Sequence, residues 1–170
     1  FTVPLSVSSS SSFTLCATID SGIVGDPDTD ESYCENVCVG SSGTYSIDPT
    51  GAGDFKTFNA ALTSLNGCGV AGNIVFEVEP ATYTEQLVIN EIGGVSANSQ
   101  ISFVNAGGGE VIISNSGTNN STNWATILMD GADYITFDGI TIESASTGSY
   151  GVCMLFKNEA DHNTIKNCKL

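Results

Sequence analysis

The sequence predicts a mainly β protein: a parallel β-helix, or solenoid, closed at its amino end by one amphipathic helix. Three observations carry that expectation. From Gly72 onward short apolar runs recur, and Ile74, Ile101, Ile127 and Cys153 or Met154 superpose at intervals of about 26 or 27 residues. Glycine, asparagine, serine and threonine fill the gaps, and these are residues of turns. One stretch alone, 55–65, carries a helical stripe. A repeat of this size made of short strands cannot bury its apolar side chains within one unit, so neighbouring units must stack. A β-sandwich would also show many short strands and is the competing architecture.

Residues 1–42 differ from the rest and form a small disulfide-stapled β or loop segment, or a linker from a preceding module. Phe1, Val3, Leu5 and Val7 alternate with polar residues, although Pro4 confines that strand to an edge. A serine run, Ser8 to Ser12, leads to a second candidate strand at 13–19. Asp20 to Glu35 is acidic and reads as a solvated loop ending in cysteines. Within it Asp26, Asp28 and Asp30 alternate as hard oxygen ligands do, which makes calcium the one metal with a candidate site. The EF-hand template fails there, with Glu31 at its glycine position and Val37 at its final glutamate.

Residues 43–170 hold the cap and about four coils. Thr44–Ile47 is a short strand, residues 48–53 a turn cluster, and Asp54 the expected N-cap of a helix over 55–65. Phe55, Phe58, Ala61, Leu62 and Leu65 fall on one stripe, and Gly67 follows as a stop. This helix has a place over the open first coil, whose edge would otherwise invite pairing. Strand-like runs then begin at Asn73, Gln100, Ala125 and Gly151, each followed by a second short apolar run. The ending, Asn163 to Leu170, is apolar and strand-like without a polar cap, which predicts that the coils continue past Leu170.

Composition narrows the function. A chain of 170 residues suffices for one domain with a sizeable core. Nineteen acidic residues against four lysines, and no arginine, give a net charge of −15, which argues against nucleic acid and anionic lipid surfaces. Charged residues make up 14% of the chain, too few for a charge-driven disordered tail. No apolar run approaches the roughly 20 residues of a membrane-spanning helix. Cys16, Cys34, Cys38, Cys68, Cys153 and Cys168 lack zinc-ligand spacing, and all six are candidates for structural disulfides in an exported protein. Connectivity is open at this level.

Asp54-Phe55-Lys56-Thr57, within the segment 51–62, and Pro80 to Glu85, within 74–89, resemble the pectin methylesterase-like family. There a GxGDFxT-type turn, a helix, a strand and a PGxYxE-type turn follow in the same order, with Ala81 here in place of the glycine. Asp138 to Ile142 and Asn163 to Cys168 are similar to its later coils. The resemblance covers roughly 43–170 and implies a right-handed parallel β-helix. The family's catalytic strands have no counterpart: no glutamine stands at 149–155, and no residue role carries over. The same module resembles repeats in large exported surface proteins of Bacteroidetes-type bacteria.

Paired carboxylates among Asp130, Asp133 and Asp138 are weighed against turns, their adjoining glycines favouring the turn reading. His162 lacks an accompanying nucleophile. Tyr83, Trp124, Tyr134 and Tyr150 sit near turns, where rings stack on sugar faces. These features point to a structural or adhesive module with no catalytic residue: a stalk, filament component or glycan-contacting surface. Its partners would be an extracellular polysaccharide or neighbouring surface-protein subunits, with self-assembly through residues 1–7 as a further route. The alternative is the amino-terminal part of a pectinesterase- or lyase-like enzyme whose catalytic coils lie beyond residue 170.

Overall fold

The computed structural model describes residues 12–19, 31–115, 124–145 and 151–170, with side chains described from Cys38 onward. The segment 1–7, Asp26, Asp28, Asp30 and Tyr150 therefore lie outside the described residues. Strands β1 (Ser12–Ile19) and β2 (Glu31–Cys38) pair antiparallel as a separate ribbon. The acidic loop expected to run to Glu35 thus gives way to strand from Glu31 onward. Pairing along the whole of β1 outweighs the weak strand preference of Glu and Asn.

After the ribbon the described residues form a parallel solenoid of about four turns. In chain order it contains β3 (Ser41–Ile47), α1 (Phe58–Leu65), β4 (Val70–Val78), β5 (Thr82–Thr84), β6 (Leu87–Asn90), β7 (Ile101–Asn105) and β8 (Val111–Asn115). It continues with β9 (Ala125–Asp130), β10 (Ile135–Asp138), β11 (Ile140–Ser144), β12 (Val152–Lys157) and β13 (Thr164–Lys166). The turns that start at β4, β7 and β10 each pass through three parallel sheets in succession, and β3 and β13 extend the first sheet at its two edges. The first holds β3, β4, β7, β10 and β13, the second β5, β8 and β11, the third β6, β9 and β12.

Alternation along each strand points one set of side chains inward, and the register stacks like on like. In the first sheet Ile74, Ile101 and Ile135 form one column. Beside it Phe76 stacks on Phe103 at 5.0 Å, and Phe103 on Phe137 at 5.3 Å, both pairs within 16° of parallel. Tyr83, Ile113 and Ile142 align in the second sheet, and Leu87, Ile127 and Met154 in the third. The expected superposition of Ile127 on Ile74 and Ile101 is corrected: Ile127 belongs to the third sheet and Ile135 to the first. The cause is an uneven connection from second to third sheet, Glu85–Gln86 in the first turn but residues 116–124 in the next.

The helix begins later than Asp54 predicts. Phe55 bridges in parallel to Ile47, and the Asp54 carboxylate accepts from the Ser46 amide at 2.8 Å and the Ser46 hydroxyl at 2.9 Å. Residues 54–55 are therefore tied to β3, and Thr57 is the N-cap, accepting from the Ala60 amide at 3.0 Å. The Glu85 carboxylate reaches the same helix end from the turn after β5. It accepts from the Phe58 and Asn59 amides, each at 3.0 Å, and from the Asn59 side chain at 2.7 Å. A negative charge there also opposes the positive end of the helix dipole. Phe58, Ala61, Leu62 and Leu65 are buried in the common core.

Two substitutions test this frame by denaturant unfolding. Glu85→Ala removes three hydrogen bonds at the helix start and should cost about 1–3 kcal/mol, with Glu85→Gln recovering part of it. Phe103→Ala empties the middle of the aromatic column and should cost about 3–5 kcal/mol. An effect under about 0.5 kcal/mol for either would show that the contact does not support the fold.

Candidate functional site

The expected stacking rings occupy unlike places. Tyr83 is corrected from an exposed position to a core one: it is 4% exposed, with its ring edge-on to Phe58 at 5.0 Å. Its hydroxyl, placed near the carbonyls of Glu79 (2.9 Å) and Ile47 (3.2 Å), donates into the backbone of the first turn. Trp124 is half-buried just before β9, and its carbonyl accepts from the Val152 amide. Tyr134 is half-buried beyond the other end of β9. The three rings therefore form no common face.

Tyr134 has a partner that sequence reasoning missed as such. Its ring stacks on His162 of the next turn, with centroids 4.6 Å apart and planes 18° from parallel. Both residues take positive φ, 53° and 57°, a conformation uncommon for residues other than glycine. The corner around them is bonded turn to turn: the Asp133 carboxylate accepts from the Asp161 amide at 2.6 Å. Asn163 donates to the Ala132 carbonyl at 2.7 Å and accepts from the Ile135 amide at 2.9 Å. Asn73 plays a similar part below, accepting from the Gln100 amide at 2.9 Å. The signal in sequence was the shared Asp-aromatic/His pattern, Asp133-Tyr134 and Asp161-His162.

Of the three carboxylates considered for a catalytic pair, Asp133 bonds to the Asp161 amide, and Asp130 and Asp138 are held in ion pairs. Lys157 contacts Asp130 at 3.0 Å and Lys166 contacts Asp138 at 3.1 Å, each from the following turn. Asn158 donates to Asp130, and Asn167 donates to Asp138 at 2.8 Å. Lys169 reaches Glu110 at 2.7 Å, where the Thr141 hydroxyl also donates at 2.8 Å. Hydrogen bonds from Lys157 and Asn158 hold the Asp130 carboxyl below its ordinary value, and those from Asn167 and Lys166 do the same for Asp138. Carboxylates kept ionised in this way are poor proton donors. Gly131 and Gly139, with φ of 73° and 72°, make the adjoining bends, in keeping with the turn reading.

Among the described cysteines, Cys38 and Cys68 form a disulfide with Cα atoms 5.2 Å apart, joining the end of β2 to the segment after α1. Cys153 and Cys168 are corrected from disulfide candidates to half-buried free thiols. One lies within β12 of the third sheet, the other beyond β13 of the first, so the turns carry them to different sides. Among the described residues no group of three or more His, Cys, Asp or Glu is placed to hold a metal ion.

A cleft of about 240 Å³ opens beside β3 and α1, lined by Ser41, Tyr45, Phe55, Ser64, Leu65, Cys68 and Phe76. Tyr45, Phe55 and Phe76 form its aromatic floor, their ring centroids 5.8–6.0 Å apart. Sequence periodicity placed Phe55 on the helix and so concealed the cleft.

Comparison with protein-family models finds no match. Comparisons with curated proteins and with solved structures find none either.

Tyr83 offers a solution test of its place. Burial, with Asp48, Glu79 and Glu85 adding repulsion, pushes its phenol up from 10.0 to about 12. The folded chain thus holds this proton where the unfolded chain has lost it. The resulting stability is complete below pH 10.0 and is lost as pH rises through about 12. The denaturation midpoint should fall over that window, and Tyr83→Phe should flatten the fall. An unchanged slope in the variant would place the phenol in water.

Proposed function

We propose that this chain is a structural or adhesive module of an extracellular or cell-surface protein. In this reading it is a stiff right-handed β-helix, capped by α1, that presents its corners to a glycan or to neighbouring surface-protein subunits. The observation that carries it is the in-register stacking of all three sheets, which makes a rod whose variation is confined to connections. Parallel crossovers are right-handed in almost every known case, which supports the hand. The apolar stripe of α1, already buried in the core, suits a lid over the first turn.

The Cys38–Cys68 bond supports an oxidising compartment, since such bonds rarely persist among cytosolic proteins. The likeness of residues 54–57 and 80–85 to pectin methylesterase-like proteins supports the scaffold, because here those residues tie β3, α1 and the first turn together. No helix among the described residues is long and apolar enough to cross a membrane.

Glycan contact is tested by electrophoresis of the native chain through gels containing soluble polysaccharides. Retardation is expected, with Trp124→Ala and Tyr134→Ala each weakening binding about tenfold, the effect of roughly 1.4 kcal/mol from one stacking ring. Absence of retardation across neutral and acidic polysaccharides would end the glycan reading. Retardation unaltered in both variants would move the contact away from these rings.

A further inference from the structure

We propose that a second disulfide joins Cys16 to Cys34 and closes the β1–β2 ribbon. The antiparallel register pairs Cys16 directly with Cys34. Opposed residues in such a pair have Cα atoms about 4.5–5.5 Å apart, inside the span a disulfide bridges. The remaining cysteines are accounted for: Cys38 is bonded to Cys68, and Cys153 and Cys168 are free thiols within the last turns of the solenoid. In β2, Cys34 and Cys38 are separated by an even step, so both belong to the face of the ribbon that also holds Cys16.

The ribbon has reason to need such a bond. Its two strands form a sheet of their own and, among the described residues, make no ladder with the solenoid. A two-stranded ribbon is at best marginally stable in water. Cys38–Cys68 fastens one end of it to the solenoid, and Cys16–Cys34 would lock the register itself. In forming the bond both S–H bonds break and one S–S bond forms. The two electrons and two protons reduce the disulfide of an exchange partner, such as oxidised glutathione, to two thiols.

The test is peptide mapping of the full chain after refolding in mixed oxidised and reduced glutathione. Unreduced protein is alkylated and then cleaved at Asp and Glu. Asp20 and Glu31 separate Cys16 from Cys34, and Glu35 separates Cys34 from Cys38, so each linkage gives its own product. Formation of Cys38–Cys68 marks the molecules to be scored. In these the expected result is a Cys16 peptide linked to a Cys34 peptide, two hydrogens lighter than their sum, with label on Cys153 and Cys168 alone. Alkylated Cys16 and Cys34, or linkage of either to any other cysteine, would overturn the proposal. Cys16→Ser should release Cys34 as a third labelled thiol, and a count that stays at two would show that Cys34 has another partner.

Discussion

One coil of this protein cannot bury its own inward side chains, and the rest of the structure follows from that constraint. Each inward residue is covered by its counterparts in the turns before and after, so the register between turns decides what is buried. Phe76, Phe103 and Phe137 illustrate it: each strand supplies one ring, and the stack forms only if all three strands keep step. A slip by one residue would turn every such ring outward. Apolar character at every position of a column is thus a packing requirement, met by identical rings here and by mixed side chains in the other two sheets.

Keeping step is enforced from outside the core as well. Asn73, Asn105 and Asn163 each bond from one turn to the backbone of another, and Lys157 and Lys166 pair with carboxylates of the turn before. Exposed ion pairs of this kind contribute little to stability individually. Their geometric effect is different, because each has a partner at only one register. The Glu85 carboxylate does the equivalent at the amino end, fixing the start of α1 against the first turn.

Much of this was legible in the chain. Strand-like runs separated by Gly, Asn, Ser and Thr foretold the solenoid, and the Phe58–Leu65 stripe foretold the helix. The exact repeat was not legible, because the connection before β9 is longer than its equivalent before β6 and shifts Ile127 into another sheet. Asp54 looks like a helix cap by type, yet a bond to Ser46 eight residues back prevails over that local preference. Tyr83 looks like an exposed turn residue until Ile47 and Glu79 supply acceptors for its hydroxyl inside the fold. The stacking of Tyr134 on His162 needed knowledge of the turn length, which periodicity alone had misjudged.

The net charge of −15 acquires a sharper meaning once the lysines are placed. Three of the four, Lys157, Lys166 and Lys169, are bound to carboxylates of other turns, so they neutralise charge locally and do not form a basic patch. Exposed acids such as Glu77, Glu79, Glu91 and Glu143 remain along the rod. A polyanionic partner would approach such a surface against repulsion. Under the adhesive reading this favours an uncharged glycan, recognised through hydroxyls and ring faces, over one rich in uronate or sulfate. The same field discourages side-by-side clumping of rods.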